Sequence, residues 1–407
     1  MKVIFITYDG LLDPLGKSQI LPYLLNLRPH VEKMQIISFE KKHRINSKDF
    51  EDLNQKLTKI DISWRPHTFM SSKNQLLKII DVIKFYKSFI GQCMLFNPDI
   101  IHARGHPMAM FASSIKRFFK YKLIFDFRGM WPDEKIAKGS WDLSSKINIL
   151  QYKFFKRHEK KLLISSDYII FLTKKVKNHF QNLLKADLKN SSVIPCASDY
   201  SFFDPNLLSE ARMSLINDMQ LKNKLVLGYL GSIGPLYDFR GYLNLIKLGI
   251  QANLNIFGLV ITNNIDEAKI FLEKKDYIEI KNSIRCISLQ REDIPKHLNL
   301  FNFLISFCKI SHSIIGASPT KVGEALSLGV PVISNSGVGD IDRILNQVNG
   351  GIIVKDTSEQ SLKKCVNDMD NFIFKRNSIR NTSKRFFDLN RASDEYIRVY
   401  KFLGPSL

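Results

Sequence analysis

Acidic residues are scarce in this chain. Asp and Glu number 39 against 60 Lys and Arg over 407 residues, a formal charge of +21. Such an excess points to an anionic partner, which is nucleic acid, a membrane surface or an anionic substrate, or else serves only to solubilise the chain. Nucleic acid is excluded as a partner class, because the chain has neither zinc-ligand spacing nor an RRM-like aromatic signature. Cysteine is also sparse. Cys93, Cys196, Cys286, Cys308 and Cys365 are odd in number and scattered, so they read as reduced thiols of a cytoplasmic protein rather than a disulfide framework. No apolar run reaches the roughly 18–20 residues of a membrane helix. Met1-Lys2-Val3-Ile4-Phe5-Ile6 reads as a strand start, without the h-region of a signal peptide. The fingerprint G-x-G-x-x-G is missing, which counts against a dehydrogenase.

What is there alternates between buried strands and amphipathic helices. Lys2 to Tyr8 is a continuous apolar strand of the parallel-sheet type, running into a Gly-containing loop and a helix from Ile20 to Leu27. Leu225 to Leu230 repeats this pattern and enters Gly231-Ser232-Ile233-Gly234. The alternation predicts an α/β fold in two Rossmann-like halves of similar size. Lys73 to Leu95 reads as a long helix with Leu76, Ile79, Ile80 and Ile83 on its apolar side, and Lys146 to Leu163 as a basic helix carrying Phe154 and Phe155. His30, His43, His67 and His158 show no partner pattern and read as surface residues.

One stretch carries more chemistry than the rest: Ser318-Pro319-Thr320-Lys321-Val322-Gly323-Glu324, closed by Gly329-Val330-Pro331-Val332. Ser318 reads as an N-cap, Pro319 as the first helical residue and Gly329 as the stop. Val322, Ala325 and Leu326 share the inward stripe; Lys321 and Glu324, three apart, share the other face. A helix N-terminus with Lys321, and with Ser318 and Thr320 in the same turn, suits a phosphate. Glu324 is placed to accept hydrogen bonds from a ribose diol one turn on. Lys309 stands at a strand end and is read as facing the same cleft, and the loop Asn335 to Asp340, with Gly337, offers backbone N–H groups. The alternative is a surface Lys–Glu pair worth about 0.2–0.5 kcal/mol.

This stretch resembles the nucleotide-sugar site of the retaining family 4 (group 1) glycosyltransferases. Their signature is a spaced pair of Glu residues followed by a small-to-apolar helix and Gly-x-Pro-Val. Glu324 matches the second Glu; the first falls at Gly316, as in branches that carry a Ser-Pro-x-Lys segment. The resemblance covers nearly the whole chain and implies the GT-B architecture: two Rossmann-like domains, 1–200 and 201–385, facing each other across a cleft, with a terminal helical segment, 386–407, crossing back to the first domain. It implies donor contacts from Gly16, Gly231, Ser232, Arg240, Lys309, Ser318, Thr320, Lys321, Glu324 and Gly337. Ser232 stands where the wider family has an Arg, and Arg240 is the nearest candidate for the second diphosphate cation. It implies acceptor contacts from Ser18, Gln19, His102, Arg104 and Asp133, and catalytic roles for Arg128 and Lys321. Asp368-Met369-Asp370 has the form of the metal motif of other sugar transferases, but falls in a surface helix, and the architecture needs no metal.

The function expected is transfer of a sugar from a nucleotide diphosphate sugar to a hydroxyl of a glycan or lipid-linked glycan, with retention of configuration. No cofactor or metal is required; the nucleotide sugar is the co-substrate. The setting is the cytoplasm, with an anionic membrane surface as a further partner. Two other classes stay open: a nucleotide-sugar epimerase or hydrolase on the same architecture, and a non-catalytic basic scaffold at the membrane.

Overall fold

A computed structural model of the chain describes residues 1–45, 47–69 and 75–404. Two compact units divide it. The first comprises Met1–Glu134, Trp141–Ile194 and the chain from Leu389 onward; the second comprises Lys135–Ser140 and Pro195–Asp388. The break at Ile194 and Pro195 precedes the expected boundary at 200/201.

The first unit holds a parallel sheet of seven strands: β1 (Lys2–Thr7), β2 (Lys33–Lys41), β3 (Ile62–Phe69), β4 (Ile100–Arg104), β5 (Lys122–Phe127), β6 (Tyr168–Phe171) and β7 (Ser191–Val193). Their order is β3-β2-β1-β4-β5-β6-β7. The strand order reverses between β1 and β4. In open α/β sheets ligands bind outside the carboxyl ends of strands at such a point. The expected helix from Lys73 is observed as Gln75–Phe96; Lys73, Asn74 and the side chains of Leu76 and Ile79 lie outside the described residues. The terminal helix Leu389–Leu403 belongs to this unit. Tyr396 packs edge-on against Tyr23, and Asn26 Nδ2 donates to Ser393 Oγ at 3.1 Å.

The second unit holds β8 (Leu225–Leu230), β9 (Ile256–Ile261), β10 (Ile284–Ile287), β11 (Phe303–Ser306), β12 (Val332–Asn335) and β13 (Gly351–Val354), ordered β10-β9-β8-β11-β12-β13. Alternation along the strands builds two cores, one per face. Val226, Leu230 and Leu304 point to the face covered by Val322, Ala325 and Leu326. Leu227, Tyr229, Phe303 and Ile305 point to the face covered by Tyr242, Leu362 and Val366. Gly228 interrupts the apolar run of β8 because the Phe301 ring lies 1.9 Å from where a Cβ would stand. Here the order reverses between β8 and β11.

Candidate functional site

The helix Thr320–Ser327 forms where the Pro-punctuated stretch predicts it, with a different cap. Pro319, not Ser318, is the N-cap residue, and no side chain caps the helix. The Ser318 hydroxyl instead accepts from the Cys196 N–H at 3.1 Å. Thr320 is the first helical residue and half-buried. The polar face expected for Lys321 and Glu324 is not a surface: every residue from Lys321 to Ser327 is buried.

Lys321 is brought to the reversal point of the sheet. Gly231, just past the end of β8, has φ +113°, and a Cβ built on it would lie 3.9 Å from Lys321 Nζ. The loop beyond it folds back on the end of β11. Asp238 N–H donates to Phe307 O at 3.1 Å, and Lys309 N–H to Leu236 O at 2.9 Å. This hairpin-like return sets the Tyr237 ring centroid 4.1 Å from Lys321 Nζ, with the Tyr229 ring at 5.0 Å. The ammonium has no hydrogen-bond partner among the described residues. Burial pulls its pKa from the ordinary 10.5 to about 8, against the opposite pull of Cys308 and Glu324. Burial in turn raises the Cys308 thiol, while Lys321 draws it down. A buried cation set against ring π-clouds and not hydrogen-bonded among the described residues retains capacity to bind an anion.

Glu324 is buried on the same helix, and its Oε1 accepts from Arg291 Nη1 at 2.6 Å. The Arg291 guanidinium lies 5.0 Å from the Phe203 ring centroid and 5.4 Å from that of Phe202. Lys321 and Glu324 are thus three residues apart without forming a mutual ion pair. Sequence reasoning missed the hold of Arg291 on Glu324, and it missed Tyr229 and Tyr237. No local pattern marks those two tyrosines: Tyr229 stands near the end of β8, and Tyr237 reaches Lys321 through the loop return.

The remaining donor residues scatter. Ser232 is exposed, and its carbonyl accepts from Tyr229 OH at 2.7 Å. Lys309 is exposed beside Cys308. Arg240 is exposed on the helix Phe239–Gln251, its guanidinium 5.9 Å from the Phe271 ring centroid. Gly337, expected to offer its N–H outward, donates it to Asp342 Oδ2 at 3.0 Å. Gly16 was expected to admit a ligand, yet a Cβ there would lie 2.0 Å from Gly10 O and 2.6 Å from Leu11 Cα. The chain's own backbone fills that space. Glu40 fixes the same loop, accepting from Leu11 N–H at 2.7 Å.

The acceptor residues of the first unit are mostly tied into its interior. Ser18 Oγ donates to Pro14 O at 2.8 Å, and Gln19 is buried. His102 Nδ1 shares a hydrogen bond with Tyr400 OH at 2.8 Å, and its ring stacks on Tyr396. Burial holds the His102 pKa below the ordinary value. Asp126, also buried, gathers His102 at 3.5 Å, Arg104 at 3.6 Å and Arg128 at 3.6 Å. Burial pushes its carboxyl up, but the Arg128 guanidinium, the hydrogen bond from His102 and the charge of Arg104 together hold it below the ordinary range. Arg128, expected beside the reacting sugar, is therefore ion-paired with the buried Asp126. Asp133 accepts from Tyr152 OH and Lys156 Nζ, both at 2.9 Å, and Lys156 also pairs with Glu159. Glu159 meets His106 at 2.9 Å, which closes a buried charge network around Asp133. His67, expected at the surface, is half-buried between Phe39 and Phe85, and burial lowers its pKa. Asp368 and Asp370 are exposed on the helix Glu359–Asp370.

No family model matches the chain, and no curated protein matches it. Solved structures do. The chain is similar to a glycosyltransferase from Rickettsia africae at 16% identity and a TM-score of 0.71, over 99% of this chain and 98% of that one. It is similar to Anabaena HepE in complex with UDP and glucose at 14% identity and a TM-score of 0.69, over 98% and 99%. WaaG, a glycosyltransferase involved in lipopolysaccharide biosynthesis, is similar at 12% identity and a TM-score of 0.69, over 99% and 100%. At such identities the likeness is one of fold, and the fold is α/β with two Rossmann-like domains, of the GT-B class.

Proposed function

We propose that the chain is a glycosyltransferase that moves a sugar from a nucleotide diphosphate sugar to a hydroxyl of a lipid-carried glycan, with retention at the anomeric carbon. The observation that carries this reading is the Lys321 ammonium, buried at the reversal point of the second sheet and without a hydrogen-bond partner among the described residues. A cation kept out of water costs stability unless an anion meets it. A diphosphate at that point receives the charge of Lys321, and Glu324 on the same helix is within a turn for the ribose. Anabaena HepE was solved with UDP-glucose, which makes a uridine nucleotide the first donor to test.

In the transfer, the bond from the anomeric carbon to the diphosphate oxygen breaks and a bond to the acceptor oxygen forms on the same face. The acceptor proton passes to the departing phosphate oxygen. Negative charge grows on the leaving diphosphate, so a fixed ammonium beside it stabilises the transition state more than the ground state. Because Lys321 supplies that charge, the reaction is assigned as metal-independent. The excess of basic residues supports work at the cytoplasmic surface of an anionic membrane.

The test is thermal unfolding with UDP, GDP, ADP, CMP and their sugars in the presence of chelator. A ligand at 100 times its Kd stabilises by about 2.7 kcal/mol. One diphosphate should raise the midpoint with chelator present, and product analysis with and without acceptor separates transfer from epimerisation or hydrolysis. If no nucleotide shifts the midpoint, the donor site is not where Lys321 lies.

A further inference from the structure

A cavity of about 710 Å³ lies in the first unit. Its walls include Tyr8, Phe39, Ile83, Phe111, Phe155 and Leu162. Tyr8 follows β1, Phe39 belongs to the end of β2, and Pro107 and Met108, also in the lining, follow β4. The cavity therefore sits at the carboxyl ends of the strands, where this kind of sheet receives ligands. Its size falls in the range of small-molecule sites. The walls are aromatic and aliphatic, and Tyr8 and Ile83 remain 47% and 49% exposed. A soluble sugar leaves such walls unmatched, whereas a hydrocarbon chain removes them from water.

Two further observations narrow the occupant. Lys87, His158 and Lys161 also line the cavity, against one carboxylate among the described residues, the buried Asp81. The helix Lys146–Ser165 carries Ile147, Leu150 and Phe154 at helical spacing, exposed at 67%, 67% and 50%, with exposed Lys146, Lys153 and Arg157 beside them. An apolar stripe flanked by basic residues suits the surface of an anionic bilayer. The stripe leads into the cavity: the Phe154 ring lies 4.2 Å from that of His158 and 5.3 Å from that of Phe155, centroid to centroid, and both line the walls.

We propose that this cavity holds the hydrocarbon chain of a phosphate-bearing lipid, with Lys87, His158 and Lys161 meeting the phosphate and the outward stripe resting on the membrane that supplies it. The proposal rests on the reading of a lipid-carried acceptor for its purpose, and it gives that acceptor's carrier a place.

The test is calorimetric titration of the full chain with farnesyl diphosphate, farnesol and inorganic diphosphate. Farnesyl diphosphate should bind more tightly than either part. Ile83→Glu puts a charge against the apolar walls at a half-exposed position and should weaken it about tenfold or more, while Ile83→Leu should not. The pair Lys87→Glu and Lys161→Glu should weaken farnesyl diphosphate about tenfold and leave farnesol unchanged. Leu150→Glu should reduce sedimentation with phosphatidylglycerol vesicles. Equal affinity for inorganic diphosphate, no binding of farnesyl diphosphate, or an Ile83→Glu variant that alters only self-association would overturn the proposal. UDP binding, read in the same samples, keeps the two readings apart. UDP bound without farnesyl diphosphate removes only the lipid site; farnesyl diphosphate bound without any nucleotide removes the transferase reading and leaves the lipid site standing.

Discussion

Replacing Lys321 with Met should make the unliganded protein more stable while removing its hold on a nucleotide diphosphate. Burial brings this ammonium from the ordinary 10.5 to about 8. At about 1.4 kcal/mol per factor of ten, keeping it charged inside the fold costs on the order of 3 kcal/mol. The attraction of the Tyr237 and Tyr229 rings, lost with the charge, offsets about 0.5–2 kcal/mol. Met is unbranched and close in shape, so the expected net gain is about 1–3 kcal/mol at pH 7. Between pH 8 and 10.5 the unfolded chain keeps a proton on this amine that the folded chain has shed, so wild-type stability rises with pH there. The advantage of the variant is therefore full at pH 7 and shrinks as pH climbs through that window. Thermal unfolding of both proteins at pH 7 and about 9.5, with and without UDP, measures all of this. A gain of 1 kcal/mol moves the midpoint of a domain of this size by about 2–4 °C. A lower midpoint at pH 7, an advantage that grows with pH, or a retained UDP shift would refute the reasoning.

If Glu324 holds a ribose, a nucleoside diphosphate should bind the wild type about tenfold tighter than its 2′,3′-dideoxy form, since hydrogen bonds to a charged group are worth roughly 1.5–3 kcal/mol. That ratio should approach unity in Glu324→Gln; titration calorimetry reads it, and an unchanged ratio takes Glu324 off the ribose. Gly16→Ala should cost roughly 1–3 kcal/mol or more through overpacking against Gly10 and Leu11. A variant that melts normally but binds nucleotide poorly would return Gly16 to the donor site. Burial keeps His102 neutral below its ordinary 6.5, so as pH falls through that value the unfolded chain takes up a proton that the folded chain refuses, and stability drops. His102→Gln should flatten that loss in a pH series of melts, whereas the contribution of Asp126 disappears only below the ordinary 3.8. A slope unchanged in the variant assigns the loss to another group.

The strands were legible because buried parallel strands are written as continuous apolar runs. Lys2–Thr7, Leu225–Leu230 and Val332–Asn335 all stand where such runs occur. Helix ends were less so: Ser318 has the chemistry of a cap, but a hydroxyl bonds whichever N–H the fold presents, and here that belongs to Cys196. Gly16 illustrates the same limit, since the sequence marks a position that needs no Cβ without telling whether ligand or backbone fills the space.

From the sequence alone came the α/β class, the two Rossmann-like halves, and the placement of Lys321 and Glu324 on one face of one short helix. These are matters of local periodicity, and neighbouring residues decide them. Tertiary structure decided that this face is buried, that Tyr237 covers Lys321, and that Arg291 takes one oxygen of Glu324. It also decided that His102 meets Tyr400, and that Tyr8, Ile83 and Phe155 share one cavity. Burial and pairing depend on segments far apart in the chain, and only the closed sheet brings those segments within a few ångströms of each other.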